Sequence, residues 1–123
     1  MIKVTVLNEH NFKVDIHEIQ QAVIDVIKKN NGDENSCVSV AIVNLDEMYK
    51  YARKYLKETG EEAKGHPVLS FPTNEIEKKF AFHPDEKNYL GEIIVVFNDE
   101  STDKIVADLA AHGTLHLLGI HHD

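Results

Sequence analysis

The chain has 123 residues, 42% of them hydrophobic and 28% charged, a composition that suits one ordinary globular domain. Its 13 Lys and Arg against 21 Asp and Glu leave a formal charge of −8, which argues against binding nucleic acid over the whole surface and confines any such contact to a local basic groove. There is neither a signal-peptide core nor an apolar run of about 18 residues, so a cytoplasmic protein without a membrane partner is expected.

Ile2, Val4 and Val6 alternate with Lys3, Thr5 and Leu7, the period of a half-buried strand over 2–7. Asp15 stands three residues before Glu18, close to a capping box, and Ile19, Ala22, Val23, Val26 and Ile27 follow at helical spacing. Asn30-Asn31-Gly32 ends that helix, whose expected role is to cover the sheet. His10 and His17 flank it without a partner at ligand spacing and read as ordinary histidines. Val38–Val43 is β-branched and nearly continuous, as in a central strand buried on both faces. Cys37, the only cysteine, cannot close an intrachain disulfide and is expected to be buried and inert.

Asp46 reads as the N-cap of a helix over 47–58 that turns Met48, Ala52, Tyr55 and Leu56 inward. Lys50, Arg53, Lys54 and Lys57 fall on its other face at i, i+3, i+4 and i+7, the one basic stripe in an acidic chain. The stripe is either a solvated helix face or a track for phosphates, which arginine and lysine bind by charge and forked hydrogen bonds. Gly60, Gly65 and Pro67 mark a loop, and Val68–Phe71 reads as a short strand stopped by Pro72, with Ser70 able to offer a hydroxyl near a metal.

Residues 73–89 have no clear period and hold the turn signal His83-Pro84-Asp85, so an irregular excursion or a hairpin is expected. Phe80 and Phe82 are expected to pack on the sheet edge rather than to stack on bases. Glu92–Asn98 is the most apolar strand. Ser101 or Thr102 then caps a last helix that reaches about Leu118, with Asp108 one turn before His112 and able to orient its ring. This order predicts an α+β fold, one domain over 1–123, with a mixed four-stranded sheet packed with helices and a histidine-bearing helix at the C-terminus.

That helix carries the chemistry. His112 and His116 are four residues apart and project from one helical face about one turn apart. Gly119 falls where the helix would stop, since glycine enters the left-handed cap conformation without steric cost. His122, three residues on, can return to the same metal. Three protein ligands plus water is the catalytic arrangement for zinc, and three neutral imidazoles lower the pKa of bound water to about 7. Nickel or another divalent transition metal suits imidazole too; zinc leads on availability and geometry. Zinc proteases with a similar histidine spacing carry Glu after the first His, whereas Gly113 stands here, so peptide hydrolysis is disfavoured.

His112–Gly119, reading HGTLHLLG, with the pair His121-His122 after it, resembles the signature of the YbeY family of metal-dependent endoribonucleases. Val68-Leu69-Ser70-Phe71-Pro72 and Leu90-Gly91-Glu92-Ile93-Ile94 are similar to two further stretches of that family, so the likeness runs from about residue 38 to the C-terminus. The resemblance implies the same α+β fold, with single-stranded RNA as substrate. It further implies a part in 3′ maturation of small-subunit (16S) ribosomal RNA and in ribosome quality control, with the small ribosomal subunit as partner. The chain departs from the family at Leu56, which occupies the place of an arginine, and in the longer Gly60–Gly65 stretch before His66-Pro67. Arg53, Lys57 or His66 is the candidate for the missing positive charge; equally, activity on RNA could be reduced or lost. His121 stands where the family has Asp, and it either aids catalysis, replaces His122 or faces solvent. Two other classes stay open: a metallohydrolase acting on another substrate, and a ribosome-associated factor whose metal is structural.

Overall fold

The computed structural model describes residues 1–55, 66–72 and 89–120. The first strand, β1 (Lys3–Leu7), leads into α1 (Ile16–Lys29), and β2 (Cys37–Val43) leads into α2 (Leu45–Tyr55). Two strands follow, β3 (Val68–Pro72) and β4 (Tyr89–Val96), and then α3 (Asp103–Leu117). The sheet order is β1-β2-β4-β3, with β1, β2 and β4 parallel and β3 antiparallel on the β4 edge. The fold is therefore the expected α+β arrangement with a mixed four-stranded sheet, and among the described residues it has three helices. None of these is long and apolar enough to cross a membrane.

Alternation along the strands divides the core in two. Val4, Val38, Val40, Ile42, Ile93 and Val95 face the side on which α1 and α3 pack together. Val43, Ile94, Val96, Leu69 and Phe71 face the other side, where Met48 and Ala52 of α2 cover them. Of α1's hydrophobic positions Ile19, Val23 and Ile27 are fully buried, at i, i+4 and i+8. Asp15 caps this helix by accepting from the Glu18 amide at 3.1 Å. Asp103 at the start of α3 accepts in turn from the Asp15 amide at 2.8 Å, which ties the two helix starts together. On the exposed side of β1, Gln20 Nε2 donates to the Val4 carbonyl at 3.0 Å and so occupies one acceptor of an edge strand.

Several boundaries differ from expectation for identifiable reasons. α2 begins two residues earlier than predicted because its cap is Asn44, not Asp46: Asn44 Oδ1 accepts from the Glu47 amide at 2.8 Å while Glu47 Oε1 accepts from the Asn44 amide at 3.1 Å. Replacing Asn44 by Ala should cost about 1 kcal/mol and lower the thermal midpoint by roughly 4 °C, readable by calorimetry; an unchanged midpoint would mean that the box contributes nothing. β4 begins at Tyr89 rather than Glu92, because the register with β2 slips between Cys37 and Val38 and leaves Leu90 as an extra residue. Gly91, with φ of +144°, absorbs that bulge, and any β carbon there would lie 2.3 Å from the Phe71 carbonyl oxygen. Pro72 belongs to β3 rather than ending it, as its missing amide costs nothing at the end of an edge strand. Cys37 is half-buried, not buried, at the start of β2. The expected helical end at 56–58, the loop beginning at Gly60 and the excursion with Phe80 and Phe82 lie outside the described residues.

Candidate active site

α3 holds the histidines because its other faces are committed to packing. Val106, Ala110 and Leu117 point into the core, and Thr114 is wholly buried with its hydroxyl donating to the Ala110 carbonyl at 2.8 Å. Thr102, rather than Ser101, caps the helix by accepting from the Ile105 amide at 3.1 Å; Ser101 Oγ instead accepts from the Asn98 amide. The helix stops as expected, with Leu118 as its cap and Gly119 at φ of +81°. That leaves His112 exposed and His116 half-buried at the border of the core.

Their two Nε2 atoms lie 3.0 Å apart, with the rings at 78° to one another and centroids 4.6 Å apart. Two imidazole nitrogens bound to one tetrahedral zinc at about 2.0–2.1 Å stand about 3.3 Å apart, so the pair fits a shared cation after opening by a few tenths of an ångström. The same separation suits an N–H···N hydrogen bond between the rings when no cation is held. His116 lies in the last turn of α3, where the unpaired carbonyls make the helix end negative and favour a positive charge. Among the described residues no set of three His, Cys, Asp or Glu side chains converges on one point. His121 and His122 lie outside the described residues, as does Lys57.

β3 fixes the position of this pair relative to the sheet. Ser70 Oγ donates to the Gly113 carbonyl at 3.0 Å, so the expected hydroxyl near the histidines binds the helix backbone beside them. Gly113 is buried in the contact, where a β carbon would meet Ile93 Cγ2 at 2.7 Å and Ser70 Oγ at 2.9 Å. Asp108 does not orient His112: it is exposed and accepts from Lys104 Nζ at 3.0 Å.

The remaining candidates are spread over the fold. His66 is half-buried just before β3, four residues ahead of Ser70. Arg53 is exposed on α2, on the opposite face of the sheet from α3, with its guanidinium 5.5 Å from the Tyr49 ring centroid. Elsewhere on α2, burial first and then the Glu47 carboxylate raise the Tyr51 pKa above the ordinary phenol value, which keeps the side chain neutral. His10, read as ordinary, lies with Nε2 2.7 Å from Glu47 Oε1.

One polar cluster has no counterpart among the sequence candidates. Glu92 is only 2% exposed, on the α2 side of the sheet, with the Tyr89 hydroxyl 3.2 Å from its carboxylate and 3.0 Å from Ser39 Oγ. A phenol has one proton, so the Tyr89 hydroxyl donates to one of these two oxygens and accepts at the other contact or bridges them. The signal for it was Glu92 at the head of an apolar strand, opposite Ser39 in the register.

The family described as Endoribonuclease YbeY matches residues 5–123. A protein named Endoribonuclease YbeY from Caldicellulosiruptor saccharolyticus is 29% identical over 116 residues, covering 85% of this chain and 72% of that protein. Proteins of the same name from Chloroflexus aurantiacus and Clavibacter michiganensis subsp. michiganensis are each 27% identical, over 94% and 98% of this chain and 78% and 82% of theirs.

Proposed function

This chain belongs to the endoribonuclease YbeY family, hydrolases acting on RNA, and we propose that it cuts single-stranded RNA at a cation held by His112, His116 and His122. The observation that carries this reading is the convergence of the two Nε2 atoms to 3.0 Å at the negative end of α3. His122 is the third ligand by its distance from Gly119, whose left-handed φ turns the chain at the helix end. Zinc is the cation that best suits three imidazoles and an open position. When bound, it supplies a Lewis acid for the phosphoryl oxygen and lowers the pKa of water.

The protein's own contribution is to place and fix. α3 presents two imidazoles from one face about one turn apart, and Ser70 holds the backbone between them against β3. Lys57 or His66 supplies positive charge to the phosphodiester in place of the arginine that the resemblance leads one to expect at Leu56, since Arg53 lies across the sheet from α3, and His121 precedes the third ligand in the chain. The family's role in rRNA processing makes a precursor of small-subunit ribosomal RNA the natural substrate, with the ribosome as partner and the cytoplasm as the place.

The test is cleavage of a 5′-labelled single strand by protein purified without a nickel column, with and without chelator. Cleavage that chelation stops and zinc restores supports the reading; cutting that persists in the chelated protein sinks it. A readout independent of activity is thermal: zinc at about a hundred times its Kd should add about 2.7 kcal/mol to stability, and the gain should vanish in His112→Ala.

A further inference from the structure

Taking the chain as the RNA hydrolase of its family, we propose that the outer face of α2 is its RNA-holding surface. Lys50, Arg53 and Lys54 bind successive phosphates of a single strand that then crosses β3 to reach the histidine pair. Lys50, Arg53 and Lys54 are exposed within five consecutive residues of a chain whose net charge is −8. None of the three forms an ion pair among the described residues.

Two of these cations are seated on rings. Arg53 lies 5.5 Å from the Tyr49 centroid, and Lys54 Nζ lies 5.2 Å from the Tyr55 centroid. A guanidinium already resting against a ring loses less rotamer entropy when it goes on to bind phosphate by a forked bond. Tyr51 and Tyr55 are nearly parallel, at 17° with centroids 6.0 Å apart. Together with Lys50, Lys54 and Glu47 they line a groove of about 260 Å³. Glu47 closes this groove at the start of the helix, and the neighbouring hollow beyond it carries Glu9, so the track ends there.

The cations also complement the negative end of their own helix, which opposes an anion. That end is worth roughly half a charge, against three full positive charges, so the local field stays favourable to phosphate. A chain of packing contacts ties the end of α2 to the histidine helix. Tyr55 at the end of α2 meets Phe71 edge-on, with centroids 5.5 Å apart. Phe71 neighbours Ser70, which bonds the carbonyl of Gly113 beside His112. Among the described residues β3 is the edge strand beyond β4, and the strand of RNA passes around that edge from the α2 face of the sheet to the α3 face.

The experiment is fluorescence anisotropy of a labelled single-stranded RNA with chelated protein over a range of salt concentrations. The double variant Lys50→Ala/Lys54→Ala should raise Kd about tenfold and reduce the slope of log affinity against log salt by about 1.4, two phosphate contacts on a single strand. Lys28→Ala/Lys29→Ala, which removes the same charge from the end of α1, should change Kd less than twofold and leave the slope alone. A Kd for the α2 pair within twofold of the unchanged protein, an equal loss in the α1 pair, or no binding by the unchanged protein overturns the proposal. Cleavage assayed in parallel separates it from the reading on which it rests. Cutting by the unchanged protein with no effect of the α2 pair on binding removes the track and keeps the nuclease. A slope that drops as expected in a protein that cuts nothing keeps the track and removes the nuclease.

Discussion

Replacing His116 by alanine is expected to lower RNA cleavage by about a thousandfold or more and to abolish zinc uptake, while leaving the metal-free fold nearly as stable as before. The first half follows from geometry: His112 and His116 supply two nitrogens 3.0 Å apart, and with one gone the cation keeps at most one anchored ligand on α3. A Lewis acid at a phosphoryl oxygen is worth several kcal/mol, and each 1.36 kcal/mol is a factor of ten in rate, so about three orders of magnitude is the modest end of the loss. The second half follows from packing. His116 is only half-buried, whereas the contacts that hold α3 come from Val106, Ala110, Thr114 and Leu117. The measurements are product formation on a labelled strand, zinc content by elemental analysis, and calorimetry of the chelated protein. Equal thermal midpoints for the two metal-free proteins, with cleavage gone, assign the cation to chemistry. If chelated His116→Ala protein matches the unchanged protein but zinc-loaded protein is far more stable and no more active, the cation is structural. Undiminished cutting by His116→Ala would falsify the histidine assignment outright.

The elements with clean periodicity were legible in the chain itself. α1 could be read from Asp15 and the spacing of Ile19, Val23 and Ile27, and β2 from its nearly continuous β-branched run, because one face or two faces of burial leave a direct imprint on residue choice. The stop of α3 at Gly119 was legible for the same kind of reason, a single residue type suited to a single backbone conformation. What failed was local competition. Asn44 and Asp46 are both capping residues, and only the reach of Glu47 back to the Asn44 amide decides between them. The bulge at Leu90 is invisible without its partner strand, since it exists only as a mismatch with Cys37 and Val38. In the site, His112 and His116 could be found from spacing, because four residues on a helix are a distance. The contact between Ser70 and Gly113 joins residues 43 apart, and only the resemblance of both stretches to one family hinted that they belong together. The burial of Glu92 runs against its charge, and its place at the head of an apolar strand was the one hint of it.

Gly113→Val should destabilise the protein by about 3 kcal/mol, near the upper end of what overpacking a core costs, and lower the thermal midpoint by roughly 10 °C. An exposed glycine within a helix would do the opposite, since almost any replacement improves helix propensity by up to about 1 kcal/mol. Here the added β carbon alone would lie 2.7 Å from Ile93 Cγ2, and Ile93 is fully buried and cannot give way. Ser70 Oγ, at 2.9 Å, can rotate aside, but only by giving up its bond to the Gly113 carbonyl. The overpacking cost therefore outweighs the propensity gain. The same crowding explains why this position does not carry the glutamate that zinc proteases place after their first histidine: a side chain there would be driven into β3 and β4, away from any water near the imidazoles. Because His112 and His116 are fixed to each other by one turn of α3, their mutual spacing should survive the substitution while the helix moves off β3. Zinc uptake by Gly113→Val should then stay within a few-fold of the unchanged protein at a temperature where both are folded, and cleavage should fall much further, as RNA crossing β3 meets a displaced cation. A variant as stable as the unchanged protein would show that α3 does not press on the sheet at this point. One that loses zinc and cleavage in equal measure would show that β3 shapes the metal centre itself.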